Sequence, residues 1–139
     1  MENLGLHLKT IWGDNDLLEF RIVASNSSFL GTTECYVSLD EAAQFAECIS
    51  GFPSSRSDVR VYEFGSSSEL GGARILFRCR DGSGHLVVEA RIWTSRSDAE
   101  AQEATLVLRT VPAEIDKFVE ELLKMKTRIG AEAHLRHAT

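Results

Sequence analysis

The sequence predicts an α+β domain of two layers, a mostly antiparallel sheet of seven strands in the order βββ-α-ββββ-α, with both helices packed on one face. From Ala73 to Val111 three consecutive segments alternate apolar and polar side chains, and an amphipathic helix follows. Ala73, Ile75, Phe77 and Cys79 point one way while Arg74, Arg78 and Arg80 point the other. Leu86, Val88, Ala90 and Ile92 repeat the pattern against His85, Glu89 and Arg91. A period of two with one apolar side is the mark of an antiparallel sheet with one face buried and one wet. Two helices lying on that buried face complete the two layers.

The elements follow in order. Leu4, Leu6, Leu8 and Trp12 alternate with His7 and Lys9 as a first strand. The polar turn Gly13-Asp14-Asn15-Asp16 leads to a second, in which Leu18, Phe20, Ile22 and Ala24 alternate with Glu19 and Arg21, so the pair is a hairpin. After Ser25-Asn26-Ser27-Ser28, the third strand puts Phe29, Gly31, Thr33, Cys35 and Val37 on one side and Thr32, Glu34 and Tyr36 on the other. Ser38-Leu39-Asp40-Glu41 reads as a capping box: the Ser38 hydroxyl accepts from the Glu41 amide and the Glu41 carboxylate reaches back to the Ser38 amide. Leu39, Ala42, Ala43, Ala46 and Ile49 form the apolar stripe of the helix that follows, with Phe45 at its edge. Gly51 stands at the C′ position and Pro53 cannot continue the helix.

Val59 to Phe64 is the fourth strand, and a loop through the serine run 66–68 leads to the fifth. Asp81-Gly82-Ser83-Gly84 turns tightly between the fifth and sixth strands, and a longer polar connection from Ser95 to Glu103 precedes the seventh. Pro112 suits the first turn of a second helix, whose stripe is Ile115, Phe118, Leu122, Met125 and Ile129, ended by Gly130. Residues 1–130 thus form one α+β domain, and residues 131–139 are expected to be a flexible C-terminal tail.

No catalytic motif stands out. The serine runs contain neither G-x-S-x-G nor S-x-x-K, and the glycine-rich turns lack the lysine and helix start of a phosphate loop. His134 and His137 make an H-x-x-H without a third ligand close by, and His7 and His85 sit on outward strand positions. Cys35, Cys48 and Cys79 are odd in number and far apart, which fits small buried hydrophobes better than a disulfide or redox pair. No cofactor, metal or catalytic residue is expected. The first residues lack the basic and apolar segments of a secretory signal, and no apolar run is long enough to cross a bilayer, so a soluble, cytoplasmic protein is expected.

The net charge of −6 is unevenly spread. Residues 1–53 hold eight acids and two bases, whereas acids and bases balance in residues 54–111 and again in 112–139. Such a chain is poorly suited to nucleic-acid phosphates or membrane surfaces and well suited to a basic protein partner. Two partner-binding surfaces are candidates. One is acidic: Asp14, Asp16 and Glu19. The other is the outward sheet face, expected to display Tyr36, Arg74, Arg78, Arg80, Arg91, Trp93 and Arg109 with Glu34 and Glu89 among them, residue types enriched at interface hot spots.

These elements carry a resemblance. Phe29-Leu30-Gly31 ahead of a capped helix, the hairpin Asp81-Gly82-Ser83-Gly84-His85-Leu86 with its alternating strand, and the closing Ile115, Phe118, Leu122 helix resemble small bacterial domains of unknown function. Neighbours of these domains include immunity proteins of the wall-associated and other polymorphic toxin systems. The resemblance spans roughly residues 15 to 125 and rests on pattern and order. It implies an α+β fold and toxin neutralisation by binding, with no catalytic residues to carry over. The leading expectation is therefore a non-enzymatic protein-binding module, immunity-like, acting on a cationic toxin. The alternatives are an acidic secretion-chaperone-like protein, a class that is dimeric and usually opens with a helix, and a small-molecule binder or unrecognised enzyme. The first strand pairs either within the chain or with a second copy, which would make a homodimer.

Overall fold

In the computed structural model, which describes residues 4–65, 71–95 and 98–138, the alternating segments are strands and the two striped segments are helices. The elements are β1 (Gly5–Gly13), β2 (Leu18–Ser25), β3 (Leu30–Val37), α1 (Glu41–Ile49), β4 (Val59–Phe64), β5 (Gly71–Cys79), β6 (Leu86–Thr94), β7 (Gln102–Thr110), α2 (Pro112–Met125) and β8 (Glu132–Arg136). The serine run at 66–68 and the Arg96-Ser97 part of the longer connection lie outside the described residues.

The chain is α+β, with antiparallel strands throughout and two helices. Among the described residues the strands number eight rather than seven and divide into two four-stranded sheets, ordered β3-β2-β1-β8 and β4-β5-β6-β7. Width explains the division. Seven strands in one sheet would span about 29 Å at about 4.8 Å per neighbour, and two helices of about 10 Å diameter cannot cover that apolar face. The inner faces therefore cover each other as well as the helices. The sheets meet at both margins. On β3, the Thr33 hydroxyl donates to the Trp93 carbonyl at 2.7 Å. At the other margin, the Thr110 hydroxyl donates to the Arg136 carbonyl at 3.1 Å, and the Ala138 amide to the Arg109 carbonyl at 2.8 Å.

The expected flexible tail is instead a strand. β8 pairs with β1 from Gly5↔Arg136 to Lys9↔Glu132, and Ala131, Ala133 and Leu135 are buried beneath it. The edge of β1 would otherwise present a row of unpaired backbone groups. β1 thus finds both its neighbours, β2 and β8, within the chain. To deliver β8 there, α2 ends at Met125, short of the expected Gly130. Lys126 takes a left-handed φ of 53°, and Ile129, expected on the buried stripe, is 64% exposed.

One continuous core joins both sheets and both helices, and Phe45 sits at its centre rather than at the edge of a stripe. Its ring lies 4.8 Å from Tyr62, 5.0 Å from Phe64, 5.6 Å from Phe118 and 6.1 Å from Phe77. Ala42, Ala46 and Ile49 complete the buried face of α1, while Ala43 faces solvent. Gly51 supplies the left-handed residue after α1, with φ 73°. Of the three cysteines, all free, Cys35 is buried and Cys48 and Cys79 are half-buried.

Half of the capping box forms. The Ser38 amide donates to the Glu41 carboxylate at 3.1 Å, and Tyr62 donates its hydroxyl proton to the same carboxylate. The Ser38 hydroxyl, however, lies 2.9 Å from Asp40 and 3.0 Å from Glu41 carboxylate oxygens, so it donates rather than accepting from the helix amide. No helix donor loses its partner in Ser38→Ala. The variant is therefore expected to change stability by no more than about 0.5 kcal/mol in urea unfolding, not the ~1 kcal/mol of a lost cap.

Candidate interaction surface

The residues proposed from sequence separate into two groups, because the sheet is two sheets. Asp14, Asp16, Glu19 and Tyr36 gather at one end of the first sheet. Arg74, Arg78, Arg80, Arg91 and Trp93 lie on the outer face of the second. Tyr36, grouped with the arginines by strand alternation, belongs with the acids.

At the first site, a β-bulge does the positioning. Register between β1 and β2 shifts between Thr10, opposite Phe20, and Trp12, opposite Glu19. Thr10 therefore stays in the core, fully buried, and Trp12, expected to point inward, emerges on the outer face. Glu19 in turn lies opposite Tyr36 on β3, so a carboxylate stands between two aromatic residues in one cross-strand row. The two rings meet edge to face, with centroids 5.9 Å apart. Trp12 is 43%, Tyr36 48% and nearby Leu17 42% exposed, an unusual amount of large apolar surface for one corner.

The charges there differ in role. Asp14 accepts from the amides of Asp16 and Leu17, both at 2.8 Å, and these bonds hold its carboxyl below the usual carboxylate range. Both bonds go to Oδ1, so Asp14 builds the β1–β2 turn. One row along the sheet, Arg21 and Glu34 pair at 3.0 Å. Glu19 has no ion-pair or hydrogen-bond partner among the described residues. Next to this corner, at the junction of the sheets, opens a cleft of about 820 Å³ bordered by Glu19, Arg21, Glu34 and Tyr36 on one side and Gly71, Thr94 and Gln102 on the other.

The second sheet's outer face is largely neutralised from within. Arg78 pairs with Glu89 at 3.1 Å, and Arg91 makes two bonds to Glu103 at 2.8 and 3.3 Å. Arg91 is thereby held more strongly protonated and Glu103 more strongly ionised than usual. Arg74 lies opposite Glu63 in the strand register. Trp93 does not stand free. Its ring lies across Gly72, where a Cβ would come within 2.4 Å of it, and the Arg91 guanidinium is 5.4 Å from the ring centre. Exposed pairs of this kind add about 0–1 kcal/mol each and organise the face more than they stabilise it.

The histidines set apart in the sequence are structural neighbours in part. His7 lies 2.6 Å from the Glu132 carboxylate and its ring is 5.8 Å from that of His134, across the β1–β8 pair. The Arg109 amide donates to Nδ1 of His137 at 3.0 Å, and burial lowers the affinity of both His134 and His137 for a proton. Among the described residues, no group of three or more His, Cys, Asp or Glu is placed to hold a metal ion, and no helix is long and apolar enough to cross a membrane.

Sequence reasoning missed Trp12 and Leu17. The available signal was the adjacency of Ile11 and Trp12, two large apolar residues that break a strict alternation. No family model, curated protein or solved structure matches the chain.

Proposed function

We propose that this protein is a non-enzymatic binding module that engages a basic protein at the Trp12–Glu19–Tyr36 corner, as an immunity protein engages a cationic toxin in the cytoplasm. The observation that carries the reading is Glu19, a carboxylate without an internal partner, set between two exposed aromatic residues. A partner's lysine or arginine gains a charge-assisted hydrogen bond from the carboxylate and packs beside the edge-to-face aromatic pair at one point. The uncompensated −6 of residues 1–53 adds a longer-range field that steers such a partner inward.

Coexpression with a toxin module encoded immediately upstream tests the reading. Growth is expected to be restored by the wild-type chain and not by Glu19→Gln or Trp12→Ala. In vitro, each substitution is expected to weaken the complex by about 2 kcal/mol, near 30-fold. The Glu19→Gln effect is expected to shrink as salt shortens the Debye length from about 10 Å at 0.1 M. A genomic neighbourhood without any toxin gene overturns the immunity role, and full binding by both variants overturns the surface. A second reading, a small-molecule binder, rests on the cleft of about 820 Å³, a volume within the range of ligand sites.

A further inference from the structure

We propose that the protein carries a separate oxyanion site at the far end of the second sheet, a notch that takes a phosphate or phosphomonoester group. This site is independent of the basic-partner surface. The notch encloses about 130 Å³ and is lined by Arg80, His85, Arg109, Thr110, Val111 and Ala138. At about 30 Å³ per water it has the room of about four waters, enough for a tetrahedral oxyanion and too little for a nucleobase with its sugar.

The strand register assembles the charge. Arg80 follows β5, where its amide donates to the His85 carbonyl at 2.9 Å, so both residues close the β5–β6 hairpin. Arg109, on β7, lies opposite Val87, and Val87 lies opposite Arg78. Alternation therefore sends Arg80, His85 and Arg109 out of the same face around the end of β6. Val87 on that face is only 6% exposed, although it points away from the core. Along this face, Arg78 and Arg91 are matched by Glu89 and Glu103. Arg80 and Arg109 have no carboxylate partner among the described residues. Arg74, which also makes no ion pair among the described residues, lies opposite Glu63 at the other end of β5, so the two unpaired arginines that share one concavity are Arg80 and Arg109.

The remaining walls are rigid. The Ala138 amide is bonded to the Arg109 carbonyl at 2.8 Å and the Arg109 amide to His137, which pins the chain end against β7. His85 is oriented by Asp81, whose carboxylate oxygens lie 3.1 and 3.3 Å from Nδ1, and Asp81 is further engaged by the Ser83 amide at 2.8 Å. Nε2 of His85 has no hydrogen-bond partner among the described residues. Two arginines and a histidine lining one small concavity suit an anion with several oxygens on different sides, which favours a phosphate over a carboxylate.

The test is calorimetric titration of the whole chain in chloride buffer with inorganic phosphate, phenyl phosphate and acetate, and amide chemical-shift mapping of the same titrations. Phosphate or phenyl phosphate is expected to bind at least tenfold more tightly than acetate, with shifts centred on residues 80, 85–87 and 109–111. Tighter binding of phenyl phosphate than of inorganic phosphate assigns the natural ligand to a phosphomonoester, and the reverse to the free ion. The double variant Arg80→Gln, Arg109→Gln is expected to lose at least tenfold in affinity with an unchanged thermal midpoint, both side chains being exposed. Arg74→Gln, at the other end of β5, is expected to change it less than twofold. Equal binding of acetate, shifts spread over the whole surface, or an equal loss in Arg74→Gln would overturn the site.

Discussion

Phe45→Ala is expected to lower the unfolding free energy by about 3–5 kcal/mol, the largest effect of any single substitution proposed for this chain. Phe45 is fully buried, and its ring is within 6.1 Å of four other aromatic rings drawn from β4, β5 and α2. Truncation removes the apolar area and leaves a cavity bounded by stiff rings that cannot collapse into it. Against a typical total of about 5–15 kcal/mol, the variant would be marginal at ambient temperature. Urea unfolding followed by far-UV circular dichroism measures it through the transition midpoint. A loss under about 1 kcal/mol would show that Phe45 is peripheral, as the edge of a helical stripe would be.

The second large effect concerns the C-terminal strand. Leu135→Ala is expected to cost about 2–5 kcal/mol, and removal of residues 131–139 to abolish a cooperative unfolding transition. Leu135 is 1% exposed, opposite Leu6, and β8 supplies the backbone partners of one whole side of β1 from Gly5 to Lys9. Without it, β1 becomes an open edge prone to pairing between molecules. Scanning calorimetry and light scattering of the truncated chain give the answer. A truncated chain that stays monomeric and melts at the wild-type midpoint would show that β8 is dispensable.

Both predictions turn on features the sequence displayed without disclosing their weight. Ala131, Ala133 and Leu135 alternate with Glu132, His134 and Arg136, the same period of two that marks the other strands. Two of the three inward residues are alanines, the run is short and it ends the chain, so the pattern resembles a frayed tail. The spacing from Met125 to Ile129 continues the α2 stripe, and nothing local forbids the helix from following it. The helix stops at Met125 because residues 130–136 gain more by pairing along β1. Phe45 looked marginal because a helical wheel ranks positions by angle alone, whereas depth depends on what comes down onto the helix from elsewhere.

The sequence by itself determined the α+β class, the antiparallel strands, the position of seven of the eight strands, the two helices and the start of α2 at Pro112. These depend on alternation, helical spacing, turn chemistry and capping, all of which act over a few residues. Tertiary structure decided the rest. An apolar strand face does not say whether a helix or another sheet will cover it, so the division into two sheets followed from width and the limited reach of two helices. That division moved Tyr36 away from the arginines and beside Glu19. A one-residue bulge, invisible to alternation because it resets the alternation itself, then turned Trp12 outward to join them. The carboxylate between two aromatic residues exists only because three strands distant by up to 24 residues in sequence are hydrogen-bonded in that register.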